Sequence, residues 1–329
     1  MKKFLQCCSI LLLGMAVLCL ALVAYTIYDN QRIAVVRQTV EIDGLDPAFD
    51  GFTILQISDL HGARFGAGQE RLAALVNSLD YDLLALTGDF QSRQRDTQPL
   101  YELLHAVQTG TPVVYIGGNA GPNDVDIFSG SVSPEGERLR EAGCTLLARP
   151  FYIQRGEARL WISETYLGKT PASLIAHAKA HLAAANPNDF TQGYYARQIE
   201  FQEELEQIFA GITPRDTLIG LTHYPLPQVV LDGAGGKTLP FDLVIAGHYH
   251  GGQIRLPFIG ALYIPDRSSQ WHGLFPDQRY VSGLYPGASI QQYVSRGVGS
   301  SDVVPFLKFR LFNTPEINLI TLRLKPTKN

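Results

Sequence analysis

Two histidines one residue apart, in Gly247-His248-Tyr249-His250, close the apolar run Leu243-Val244-Ile245-Ala246 and precede Gly251-Gly252-Gln253. Imidazoles placed this way at a strand end can point to different metal ions, and the flanking glycines let backbone come close to a ligand. Such a pair alone is commonly solvated, so its meaning depends on partners elsewhere in the chain. Four further apolar runs end in polar side chains that can ligate metal. Phe52 to Ile57 delivers Ser58-Asp59-Leu60-His61, and Leu83 to Leu86 delivers Thr87-Gly88-Asp89. Pro112 to Ile116 delivers Gly117-Gly118-Asn119, and Thr217 to Leu221 delivers Thr222-His223. Each run reads as a buried strand. In α/β sheets ligands bind outside the carboxyl ends of the strands, so groups roughly two hundred residues apart in sequence can converge there.

Mixed imidazole and carboxylate ligation suits Zn, Fe or Mn rather than Mg or Ca, which favour all-oxygen shells. Two such ions about 3.5 to 4 Å apart clamp a phosphate, neutralise transition-state charge and acidify a water, so that hydroxide attacks phosphorus in line. No protein nucleophile is needed. The chain accordingly lacks a Gly-x-Ser-x-Gly elbow and a Gly-x-x-x-x-Gly-Lys-Ser/Thr nucleotide loop.

The ordered series resembles the calcineurin-like metallophosphoesterases, which share Asp-x-His, Gly-Asp, Gly-Asn-His, a lone His and Gly-His-x-His. The lead-in from Gly44 to Phe52, the extension from Gly251 to Pro257, and the tail from Tyr293 to Gly299 with Pro315-Glu316-Ile317 are similar to the membrane-associated YkuE/YaeI-type branch. The resemblance covers nearly all of the chain after residue 30. It implies a four-layer α/β/β/α sandwich of two facing mixed sheets with helices outside. It further implies one metal held by Asp59, His61, Asp89 and His250, and a second held by Asp89, Asn119, His223 and His248, with Asp89 bridging.

One box departs from the family. Where members read Gly-Asn-His followed by an acidic residue, this chain reads Gly118-Asn119-Ala120-Gly121-Pro122-Asn123-Asp124. The resemblance therefore implies that the usual general-acid histidine is replaced by Ala120 while the ligand Asn119 is kept. A positioned acid contributes ~10² to 10⁴-fold, so its loss slows the reaction without removing Lewis-acid catalysis. Three readings stay open: Asp124 substitutes, the leaving group needs no proton (as in a pyrophosphate), or the chain binds ligands without turnover. No catalytic side chain is assigned. Arg64 and Arg296 are candidates to clamp a substrate phosphate, because guanidinium matches phosphate oxygens bidentately. The implied function is metal-dependent hydrolysis of a phosphodiester or pyrophosphate, on a lipid-linked or envelope substrate. The alternatives are a metal-binding sensor or scaffold and a broad phosphomonoesterase.

The elements that must position these residues follow from periodicity. After a first strand over Ile33 to Ile42, apolar strands alternate with amphipathic helices around Glu70 to Leu79, Leu100 to Gln108 and Glu135 to Ala142. Arg155-Gly156-Glu157 between two apolar runs signals a hairpin, and helical segments cover Pro171 to Ala184 and Tyr194 to Ala210. Residues 30–329 read as a single domain, and residues 1–29 as a membrane anchor. Phe4 to Tyr28 carries no charge and is bounded by Lys2-Lys3 and Asp29, which suits one spanning helix. A cleaved signal peptide is the competing reading. Leu22 spoils the candidate cut at Ala24-Tyr25, and Cys19 lacks the small residue a lipoprotein signal has before its cysteine. With Lys2 and Lys3 inside, the domain faces the outside of the cytoplasmic membrane, where anchoring raises its effective concentration on lipid substrates.

With 27 Lys and Arg against 31 Asp and Glu, the net charge of −4 gives no footprint for nucleic acid. Three of the four cysteines lie in the apolar segment, so the domain cannot staple itself. Cys144, between a predicted helix and a strand, reads as a buried small hydrophobe. His177 and His181 share a helical face without the glutamate of a His-Glu-x-x-His motif and read as solvated. His105 and His272 have no ligand partners in sequence, and Tyr249 reads as a packing residue.

Overall fold

The computed structural model describes residues 2–167, 172–184, 191–233, 241–265, 273–302 and 305–326. His272 lies outside them. Helix α1 (Lys2–Asn30) is apolar on every side, so it has no face to bury against the domain. Among the described residues it is the one helix long and apolar enough to cross a membrane, and its most apolar stretch packs against nothing.

The strands are β1 (Ala34–Ile42), β2 (Thr53–Ile57), β3 (Leu83–Thr87), β4 (Val113–Ile116), β5 (Cys144–Leu146), β6 (Phe151–Arg155) and β7 (Ala158–Glu164). They continue as β8 (Thr217–Leu221), β9 (Leu243–Ala246), β10 (Arg255–Leu256), β11 (Gly260–Ala261), β12 (Gly283–Pro286), β13 (Gln291–Val294) and β14 (Glu316–Leu324). Twelve of them form two mixed six-stranded sheets, in the orders β1-β14-β2-β3-β4-β5 and β12-β13-β9-β8-β7-β6, while β10 and β11 make a separate hairpin.

Side-chain alternation sorts the layers. In β3, Leu83 and Ala85 point to the space between the sheets, whereas Leu84 and Leu86 point outward to the helices. Ile54 and Leu55 of β2, and Ile219 and Leu218 of β8, divide the same way. The inner layer joins Ile54, Leu83, Val114 and Ile320 of the first sheet to Leu160, Ile219, Leu243 and Tyr293 of the second. Outside the first sheet lie α2 (Glu70–Asn77), α3 (Gln98–Ala106) and α4 (Pro134–Glu141), which contribute Leu72, Val76, Leu100 and Leu139 to its outer core. Helices α5 (Ala172–Ala184) and α6 (Gln192–Ala210) follow β7, and Ile208 and Phe209 of α6 pack toward Trp161 and Leu218 outside the second sheet. The expected α/β/β/α arrangement is therefore present. Cys144 is buried as expected, and it opens β5, where it pairs with Val113 while Thr145 and Leu146 pair with Val114 and Tyr115.

Polar groups cross the inner layer at the end of the sheets nearest the histidine turn. Gln56 of β2 donates from Nε2 to Thr87 Oγ1 at 2.8 Å and to the Ala246 carbonyl of β9 at 2.9 Å. Asn318 of β14 donates to the Tyr293 hydroxyl of β13 at 2.8 Å and to Glu316 at 2.8 Å. Buried amides of this kind fix the register of the facing sheets, because any slip leaves them unpaired. Replacing Asn318 by Ala strands the buried Tyr293 hydroxyl, while Glu316 keeps the Arg296 N–H. That variant is expected to lose ~1 to 3 kcal/mol for the stranded group, read as a shift of the urea midpoint of the full-length protein in detergent.

Candidate metal centre

Five loops meet between the carboxyl ends of β2, β3 and β4 on one sheet and β8 and β9 on the other. The backbone turns sharply after each apolar strand. Asp59, His61, Asp89, His248 and His250 all have φ between 46° and 73°, the left-handed region that non-glycine residues rarely enter. Such conformations cost of order 1 to 3 kcal/mol each and persist where the surroundings over-determine them. Here they turn side chains from five positions into one small space. Glycines make that space possible. A Cβ on Gly247 would lie 2.1 Å from Ser58 Oγ, and one on Gly118 would lie 2.2 Å from Asp89 Oδ1.

Two groups of donors result. Asp59, His61 and His250 form one and Asp89, His223 and His248 the other, with one ligand atom from each residue within 4.8 Å of the others in its group. His61 Nε2 faces His250 Nε2 at 3.1 Å, and His250 Nε2 lies 3.5 Å from Asp59 Oδ1. His223 Nε2 faces His248 Nδ1 at 3.2 Å. Asp89 Oδ2 stands between the groups, 3.4 Å from His61 Nε2 and 3.2 Å from His223 Nε2. The other oxygen of Asp89 accepts the Ala120 N–H at 2.6 Å, which fixes the carboxylate plane. His223 Nδ1 lies 2.9 Å from the Thr87 carbonyl, so that nitrogen carries the proton and Nε2 is left for a cation. The donor set and its spacing fit two transition-metal ions sharing Asp89.

The electrostatics are those of charge packed into a dry site. Burial raises the Asp59 carboxyl, against the opposing pull of His223. Burial opposes the charge of His223 too, yet its bond to Asp89 and the two carboxylates lift it to about 9. Burial, with His223 next, drives His248 down to about 4, and burial, with His61 next, holds His250 well below the ordinary imidazole range. These directions favour the charged form of His223 and the neutral forms of His248 and His250.

The supporting shell was not legible in the sequence. Arg310 is buried and donates to the carbonyls of Asn313, Gly299, Arg296 and His250, and Asn313 also donates to the His250 carbonyl at 2.7 Å. Asp302 accepts the Arg93 N–H at 2.7 Å and stands 3.8 Å from His61 Nδ1. None of Arg310, Asn313 and Asp302 sits in a recognisable motif, since they act through backbone or beside an imidazole.

The remaining expectations sort as follows. Asn119 is exposed in the loop after β4 and lines, with Ala120, a cavity of about 870 Å³ over the histidines. Asp124 does not reach this cavity. It is buried behind the loop, where its carboxylate accepts from the Gly117 and Val125 amides, and burial raises it to about 6. A stand-in acid at Asp124 is thereby corrected: its oxygens organise the loop. Arg64 and Arg296 are not in the cavity wall. Arg64 is held at the surface by Glu102 and Asp96, and Arg296 donates to Ser282 at 3.3 Å and lies 3.5 Å from Glu316. Arg93 and Arg95, in the loop after β3, line the cavity instead. Tyr249 packs on Ala261, Ile264 and Val281 and also borders the cavity. His177 is exposed on α5, and His105 contacts the Tyr101 carbonyl.

The Calcineurin-like phosphoesterase family profile matches residues 52–252. The chain is 36% identical to the phosphodiesterase YaeI of Escherichia coli over 275 residues, 82% of each chain. It is 26% identical to the metallophosphoesterase YkoQ of Bacillus subtilis, over 93% of this chain and 97% of that one. It is 25% identical to the UDP-2,3-diacylglucosamine pyrophosphatase LpxG of Chlamydia trachomatis, over 84% of this chain and 85% of that one.

Replacing His250 by Ala is expected to leave one tightly bound ion instead of two, and Asp89→Ala to weaken both, as read by elemental analysis of Mn-, Zn- or Fe-loaded protein. Buried Glu164, the last residue of β7, also gives a pH prediction. Burial, with Asp124 second, raises Glu164 from 4.5 to about 8. An acid raised in the folded state costs stability as pH climbs from its unfolded to its folded value. Glu164→Gln should therefore resist unfolding better than the parent near pH 8 and no better below pH 4, measured by denaturant titration at both.

Proposed function

The chain belongs to the calcineurin-like phosphoesterases, metal-dependent phosphoric ester hydrolases, and from that premise we propose a membrane-anchored dinuclear enzyme that cleaves a phosphodiester or pyrophosphate in a lipid-linked substrate. The observation that carries this reading is Asp89 Oδ2, placed between an imidazole of each donor group. Asp59, His61, Asp89 and His250 would hold one ion, and Asp89, Asn119, His223 and His248 the other, with Mn, Zn or Fe as the candidates. When bound, the ions supply charge neutralisation and an activated water. The protein's own residues do the rest. Asp59 accepts the His248 N–H at 3.1 Å and so ties the histidine turn to the first strand end. Arg93 and Arg95 bring guanidinium groups to the cavity, where phosphate oxygens would need them.

Ala120 decides the leaving group. Its backbone N–H is committed to Asp89, and a methyl group offers no proton. A leaving phosphate is stable without immediate protonation, whereas an alkoxide is not, so a phosphoanhydride suits this site better than a dialkyl ester. The cavity wall supports an amphiphile: Gln91, Arg93 and Arg95 lie on it together with Ile254, Leu262, Tyr263 and Leu307. Residues 1–29 serve as the anchor and residues 30–329 as the catalytic domain, which faces outward. The similarity to LpxG, named for cleaving a diacylated nucleotide sugar, favours the same reading.

A second reading is motivated by Ala120 alone, namely a metal-binding sensor that does not turn substrate over. Full-length protein loaded with Mn, Zn or Fe separates the two. Hydrolysis of a nucleotide diphosphate-linked lipid, lost in Asp89→Asn, supports the enzyme; two bound ions without turnover on any ester or anhydride would sink it. Ala120→His should speed bis-p-nitrophenyl phosphate cleavage less than cleavage of a dialkyl ester, for which the gain approaches ~10²-fold.

A further inference from the structure

Large apolar side chains are exposed on the segments that line the cavity. Phe258 and Ile259, fully and 54% exposed, form the tip of the β10-β11 hairpin, between the wall residues Ile254 and Leu262. Phe306, 80% exposed, precedes the wall residue Leu307. Phe275, 72% exposed, follows Leu274 and bonds through its N–H to the Leu262 carbonyl at 2.8 Å. Scattered single hydrophobes at a surface need no explanation, but a cluster on adjoining segments marks an interaction site.

The end of α1 packs against the same segments. Tyr25 meets Phe312 in a tilted ring contact with centroids 5.5 Å apart. Asn30 donates to the Arg310 carbonyl at 2.6 Å and accepts the Arg310 N–H at 2.7 Å, while Thr314 donates to Asp29 at 2.8 Å. Residues 310–312 in turn run beside the hairpin: Leu311 accepts the Arg255 N–H at 3.0 Å and donates to the Gln253 carbonyl at 3.1 Å. The aromatic rim is thus continuous with the point at which the apolar helix leaves the domain.

We propose that Phe258, Ile259, Phe275 and Phe306 form a wedge that enters the membrane leaflet holding the end of α1, so that the cavity opens at the lipid headgroups. The proposal rests on the anchor reading above and adds to it a second, peripheral contact. A side chain such as Phe258, which packs on no protein atom, gains its apolar environment from acyl chains. The arrangement lets a lipid-linked phosphate pass from the bilayer to the histidines without its chains crossing water.

The test uses the full-length protein in phosphatidylcholine vesicles with brominated acyl chains. Phe258→Trp and Phe306→Trp should each show tryptophan fluorescence quenched beyond the background of Trp161 and Trp271, whereas Tyr152→Trp, on the edge strand β6, should not. Retention of the protein by vesicles at alkaline pH with unquenched reporters at 258 and 306 would overturn the wedge and leave the anchor standing. Release at alkaline pH would overturn both. Unquenched reporters accompanied by a concentration-dependent dimer would assign the rim to a second copy of the chain and overturn the lipid contact. As an independent check, Phe258→Asp with Phe306→Asp should lower cleavage of a vesicle-embedded substrate by about tenfold, while bis-p-nitrophenyl phosphate cleavage stays within about twofold.

Discussion

Everything in this molecule depends on how closely two strand ends from opposite sheets approach one another. Gly247 at the end of β9 lies against Ser58 and Asp59 at the end of β2, with no room for even a methyl group. Gly297, after β13, is pressed in the same way against Asp59. Because of that contact Asp59 can accept the His248 amide, and the first sheet can place a carboxylate beside imidazoles of the second. Neither sheet carries a complete donor set. The apolar layer between them supplies the cohesion, and Gln56, reaching from β2 to the Ala246 carbonyl, sets the depth at which they meet.

Legibility in the sequence followed physical locality. The five strand ends could be read because a buried strand announces itself by composition, and the polar group after it is then conspicuous. Asp59, His61, Asp89, His223, His248 and His250 were found on that basis and are brought together. Strand β14 was not read as a strand, although its apolar pattern is adequate. Its place, parallel to β1 and antiparallel to β2, is decided by pairing across most of the chain. Arg64 lies close in sequence to the first box, but its guanidinium is captured by Glu102 and Asp96. Arg93 and Arg95 gave no signal, being ordinary loop arginines until the fold sets them over the cavity.

The loop containing Ala120 positions the bridging carboxylate through backbone. Asp89 is still held by the Ala120 backbone, a contact to which the side chain at that position contributes nothing. Asp124 remains engaged with the amides of its own loop and keeps the turn in shape. The orientation of Asp89 is therefore independent of which side chain stands at position 120.

Arg310 connects two things that are usually independent. Its backbone is pinned by Asn30 at the end of the apolar helix, and its guanidinium holds the carbonyl of His250. One residue thus sets the separation between the helix terminus and the donor cluster. Under the proposed membrane anchoring, that fixed separation would make the protein a ruler, choosing among phosphates by their height above the bilayer.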